Sequence, residues 1–141
     1  HKSETPETCM KCVLSSKNST KADGVGIATI IVDCIKDKAN ILALNTTNLA
    51  STTHGKLKPF YQTCAKDYDY IAKKELILTK KALHKHEYDN AESCMVKALT
   101  IHVACRAPVE YYCDEVPSGV IDDMNTYEEL CEAASTVITK L

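Results

Sequence analysis

Hydrophobic positions recur at helical spacing through most of the chain. Beginning at about Asp23, Ala28, Ile31, Ile35, Leu42 and Leu49 fall on one stripe, widened by Val32 and Ala39. That is the period of a helix with one buried face. Asp23 suits an N-cap, because its carboxylate can accept a bond from a free first-turn N–H. This helix is expected to end near Thr53, before His54-Gly55. A second helix is expected from Leu57 or Pro59, with Phe60, Cys64, Tyr68, Ile71, Leu78 and Ala82 facing inward, to about His84-Lys85-His86. Pro59 fits a first turn, where the missing N–H costs nothing. A third covers residues 89–107, with Ala91, Met95, Ala98, His102 and Cys105 on one face, and Pro108 stops it. Residues 108–118 read as a loop. A last helix is expected from Asp122 or Asp123, carrying Tyr127, Leu130, Ala134, Val137 and Leu141. The β-branched run Ile30-Ile31-Val32 sits inside a longer helical period and does not read as a strand.

Four long helices with short connections predict an all-α, up-down-up-down four-helix bundle over residues 23–141, with residues 1–22 as a short N-terminal extension. In that layout Cys64, near the start of the second helix, and Cys105, near the end of the third, stand at similar height. A disulfide between them would tie the middle hairpin at its open end.

Composition adds the compartment. Eight cysteines, at 9, 12, 34, 64, 94, 105, 113 and 131, in 141 residues point to a disulfide-stabilised chain from an oxidising environment. The polar opening His1-Lys2-Ser3-Glu4-Thr5-Pro6 is not a signal peptide, so the mature form of a secreted chain is expected. Sequons at Asn18 and Asn45 are compatible with glycosylation. The charge is −2, from 17 basic and 19 acidic residues, and Arg106 is the only arginine. Nucleic acid is therefore not an expected partner, and no apolar run is long enough for a membrane span. The lysines at 36, 38, 56, 58, 73, 74, 80, 81 and 85 are spaced as solvated helix faces.

Catalytic and metal patterns are weak. Cys9-x-x-Cys12 lacks the βαβ context of a redox motif, and a zinc site would need two further ligands; His84 and His86, two apart, point to different sides of a helix. These histidines read as C-terminal helix caps. His102, on an inner face, reads as a satisfied core histidine, with a pH-sensitive group as the alternative. Asp122-Asp123 and Glu128-Glu129 read as structural acids at N-terminal turns. No nucleophile elbow, phosphate loop or His-Glu-x-x-His motif is present. Neither enzyme activity, cofactor nor metal is expected.

Several stretches together resemble the plant invertase and pectin methylesterase inhibitors, a family that includes pollen allergens similar to invertase inhibitors. Val32-Asp33-Cys34-Ile35-Lys36-Asp37-Lys38-Ala39-Asn40 is similar to the first bundle helix of cell-wall invertase inhibitors. Leu57-Lys58, Cys64, Tyr68 and Ala72 resemble the second, and Tyr88-Asp89-Asn90-Ala91 with Cys105 the third. Tyr127-Glu128-Glu129-Leu130-Cys131 resembles a pectin methylesterase inhibitor segment that holds a free cysteine. The resemblance implies a four-helix bundle behind a short helical hairpin, and inhibition of a secreted carbohydrate-active enzyme through a one-to-one complex. It also implies two disulfides, one within the hairpin and one joining the second and third bundle helices; the latter maps onto Cys64 and Cys105.

The departures from the family are informative. Aligned without gaps, Cys9 matches the second hairpin cysteine and the first would fall before His1, so the usual hairpin bridge is not expected. Level-matching on neighbouring helices suggests Cys34–Cys131 instead. Where invertase inhibitors carry Pro-Lys-Phe, this chain has Tyr88-Asp89-Asn90. A carboxylate entering an acid-lined cleft is repelled, so pectin methylesterase is placed ahead of invertase, with Tyr88, Asp89 and Asn90 as contact candidates. The expected location is extracellular, in the cell wall, or vacuolar. Two alternatives stand: a secreted helical carrier of a small apolar ligand, and a pollen-type family member without inhibitory activity.

Overall fold

The computed structural model describes Lys11, Cys12 and residues 23–141. Helix α1 spans Gly24–Thr52. The Asp23 carboxylate accepts the Gly26 N–H at 2.8 Å, the cap its position implied. At the other end Lys58 Nζ donates to the Ala50 carbonyl at 2.7 Å, supplying a cation and a donor where helix carbonyls lack partners. Gly55 turns the chain with φ 82°, the left-handed region that favours glycine.

Helix α2, Leu57–Tyr70, runs through a π turn, Ile71–Glu75, into α3, Leu76–His84, so the three form one rod. The π turn adds a residue to the cycle and moves the downstream stripe forward by one position. Thr79 and Leu83 are therefore buried, and Leu78, expected in the core, faces out. Helix α4 spans Tyr88–Arg106 and tightens into a 3₁₀ turn, Ala107–Glu110, that contains Pro108. Helix α5 spans Ser118–Thr139. It begins four residues before Asp122, because Pro117 sets the entry and Val120 reaches the core. The acids at 122 and 123 consequently lie in the second turn, where Asp123 pairs with Lys38 of α1 at 3.0 Å.

Helix α1 packs against α2 and α5, and α4 against α3 and α5. The four rods make the expected up-down-up-down bundle, all helical among the described residues. Ile31, Ile35, Leu42, Ile71, Leu76, Leu83, Met95, Met124 and Ile138 fill the core together with Tyr61, Tyr68 and Tyr127. Complete burial of Ile31 and Val32, at roughly 1.5–3 kcal/mol each, with Ile30 partly buried beside them, holds this run helical despite its β-branching.

Two disulfides secure the ends. Cys64–Cys105 joins α2 to α4 with a Cα separation of 5.6 Å. Cys34 pairs with Cys12 and not with Cys131. The level-matching of α1 and α5 that suggested the other bridge is sound, as the Lys38–Asp123 pair shows. Rotation decides otherwise: Cys131 turns into the core toward Tyr127, whereas Cys34 lies half-buried on the α1 flank that Cys12 meets. Cys9 and most of the 1–22 extension lie outside the described residues.

The Cys64–Cys105 bridge closes a loop of sequence separation 41. Replacing both cysteines by alanine is expected to lower stability by about 4 kcal/mol in the chain-entropy account. Urea unfolding should show this as a lower midpoint with a somewhat steeper slope, because the unlinked unfolded chain expands and exposes more surface.

Candidate functional site

The turn between α3 and α4 carries the three residues the sequence singles out. Helix α3 closes in a Schellman arrangement: the Glu87 N–H donates to the Ala82 carbonyl at 2.8 Å and the His86 N–H to the Leu83 carbonyl at 3.1 Å. The left-handed position, usually glycine, is held by His86 at φ 59°. Its imidazole Nδ1 lies 2.6 Å from the Tyr88 hydroxyl and its ring meets Tyr88 edge-on. Tyr88 opens α4 half-buried against the core, and Asp89 and Asn90 beside it are exposed. The Asn90 amide donates to Glu87 at 3.3 Å. Tyr88, Asp89 and Asn90 thus form one compact, pre-organised knob at the end of the bundle. His86 braces it, a role that its helix-capping assignment missed. Spacing alone does not reveal it, since the brace depends on the left-handed backbone.

Deeper in the bundle a polar chain crosses the core. The Tyr68 hydroxyl of α2 lies 2.8 Å from His102 Nδ1 of α4, and His102 Nε2 lies 3.0 Å from Glu128 of α5. Tyr127 stacks on the imidazole at 4.6 Å and donates its hydroxyl to the Ala98 carbonyl at 3.0 Å. A neutral ring satisfies every member: Nδ1 accepts from Tyr68 and Nε2–H donates to Glu128. Burial pushes His102 below the ordinary histidine range; the Glu128 carboxylate opposes that shift and Arg106 adds to it. Burial likewise raises the Tyr68 and Tyr127 hydroxyls. Glu128 therefore belongs to the middle of α5 as a histidine partner, not to a first turn.

The free thiols differ sharply. Burial pushes Cys131 up to about 12, although a hydrogen bond with Tyr127 opposes it. Burial also raises Cys94, helped by Glu75. Cys113 is exposed in the connection between α4 and α5. Asn45 lies half-buried on α1 beside an open groove of about 570 Å³ shared with Pro117 and Val120; Asn18 lies outside the described residues. The groove between α1 and α2, lined by Asn40, Leu44, Lys66 and Asp69 among others, is an open surface cleft and not an enclosed apolar cavity. Among the described residues no cluster of three or more metal-ligating side chains occurs, and no helix is long and apolar enough to cross a membrane.

No protein-family model matches the chain, and no curated protein matches it in sequence. Among solved structures it is similar to a pectin methylesterase inhibitor from Arabidopsis thaliana, with a TM-score of 0.77 and 16% identity. The likeness covers 98% of this chain and 97% of that one. The chain therefore has the helical-bundle fold of that inhibitor.

Two measurements follow. His102 folds with a pKa below its unfolded value, so the unfolded chain takes up the proton first and stability falls as pH drops below about 6.5. Melting temperatures from about pH 7.5 to about pH 5.5 should decline in the wild type and decline less in His102→Gln. Timed labelling of the native protein with a thiol reagent should modify Cys113 within the first phase and Cys131 only on unfolding, as read by peptide mass mapping.

Proposed function

We propose that the protein inhibits a plant carbohydrate-active enzyme by forming a one-to-one complex, with pectin methylesterase ahead of acid invertase. The observation that carries this reading is the end-to-end fold likeness to a pectin methylesterase inhibitor. The knob at Tyr88, Asp89 and Asn90 supports the order of targets. Its carboxylate suits a cleft that accepts an acidic polymer better than one lined with glycosidase acids. Inhibition of this kind needs no catalytic group and no cofactor. It needs a rigid surface, so that little freedom is lost on binding, and two disulfides with a filled core supply that.

The same two bridges support passage through an oxidising route to the cell wall or vacuole, where Asn18 and Asn45 would be open to glycosylation. Half-burial of Asn45 within α1 makes modification before folding the route for that site.

Titrating the protein into a pectin methylesterase and into an acid invertase at about pH 5 provides the test. Stoichiometric loss of esterase activity at micromolar protein is expected, with invertase affected less. Activity of both enzymes untouched by the protein would refute the proposal. Asp89→Lys combined with Asn90→Ala should weaken esterase inhibition about tenfold, a loss typical of a contact residue, with an unchanged circular dichroism spectrum.

A further inference from the structure

The near-neutral total charge conceals a segregation. Residues 56–85 carry eight lysines and three carboxylates, whereas residues 107–141 carry eight carboxylates and one lysine. The α2–α3 rod and α5 each flank α1 and α4, so the basic and acidic rods occupy opposite corners. The bundle is polarised across its width.

The outward side of the basic rod is not merely a solvated face. Lys66, Tyr70, Lys74, Leu78 and Lys81 are all exposed and succeed one another at three- and four-residue steps, forming a single stripe that the exposed Lys73 widens. Of its lysines, Lys73 pairs with Asp69 one turn away at 2.9 Å. Tyr70 and Leu78 are 44% and 41% exposed within it. Helix α4 runs alongside, and its Val96 and Val103 are 53% and 48% exposed. The Cys64–Cys105 bridge and the Tyr68–His102 contact set the levels, bringing Val96 and Val103 within about one turn of Leu78 and Tyr70. Between residues 90 and 106, α4 exposes no carboxylate. Helix α5, by contrast, contributes no exposed large hydrophobic side chain. An apolar strip edged mainly by lysines, with Asp69 held in the pair with Lys73, is the make-up of an interface whose centre supplies affinity and whose rim steers approach.

We propose that this face, formed by the outward stripe of α2–α3 and the aliphatic stripe of α4, holds a protein partner through an acidic patch on that partner. The inference rests on the inhibitor reading: the partner is the target enzyme, and the Tyr88 knob lies at one end of the same face. The lysines meet carboxylates outside the target's cleft, while the four apolar side chains cover the ground between.

The test compares inhibition constants and association rates of wild type, Lys74→Glu/Lys81→Glu, Val96→Ser/Val103→Ser, and Asp122→Lys on the acidic rod. Circular dichroism melting checks that each variant is folded. The lysine pair should slow association about tenfold and abolish most of its salt dependence. The valine pair should speed dissociation, and Asp122→Lys should leave both unchanged. An unaltered lysine variant, or loss of binding in Asp122→Lys alone, overturns the face while leaving inhibition intact. Wild type that inhibits neither enzyme refutes the inhibitor reading itself. In that case binding to immobilised polyglutamate, strong for wild type and weak for the lysine variant, still supports the basic stripe. Equal or absent binding overturns it.

Discussion

The buried chain from Tyr68 through His102 to Glu128 sets the geometry of the bundle. Hydrophobic side chains tolerate small rotations of a helix, since one contact replaces another. A buried imidazole does not, because a lost partner leaves a polar group stranded at a cost of about 1–3 kcal/mol. Three helices must therefore present one residue each at fixed height and rotation. Tyr127 closes the fourth side by stacking on the ring and bonding the Ala98 carbonyl. With the ring in place, Cys105 lies one turn from His102 and reaches Cys64, which lies one turn from Tyr68. The bridge and the polar chain thus fix the same pair of helices by independent means.

Most of the architecture was legible because burial follows period. Asp23 marked the start of α1, His54-Gly55 its end, and the inward residues of α4 were the expected ones. Two of the errors share a physical origin in rotation about a helix axis. A π turn leaves no trace in the pattern until its consequence is known, so Leu78 was placed inside and Thr79 was overlooked. Cys34 and Cys131 stand at matching height, but height says nothing about which way a thiol turns. The start of α5 was read from its acids, while Pro117 and Val120 determine it.

The candidate site was legible in part. Tyr88, Asp89 and Asn90 were found through a resemblance, and no property of the three residues alone would have selected them. The brace from His86 depends on a backbone conformation that a histidine seldom adopts. Charge segregation is present in the sequence as a difference between two stretches. It gains meaning only when those stretches stand at opposite corners.

The π turn has an evolutionary consequence. The wide turn accommodates one additional position, so a single-codon deletion there would let it close to a regular α turn while Thr79 stayed inside and Leu78 outside. Lineages could in this way gain or lose a residue in the rod while the core beyond it kept its register. The turn would then act as a buffer that absorbs changes of length without repacking the bundle.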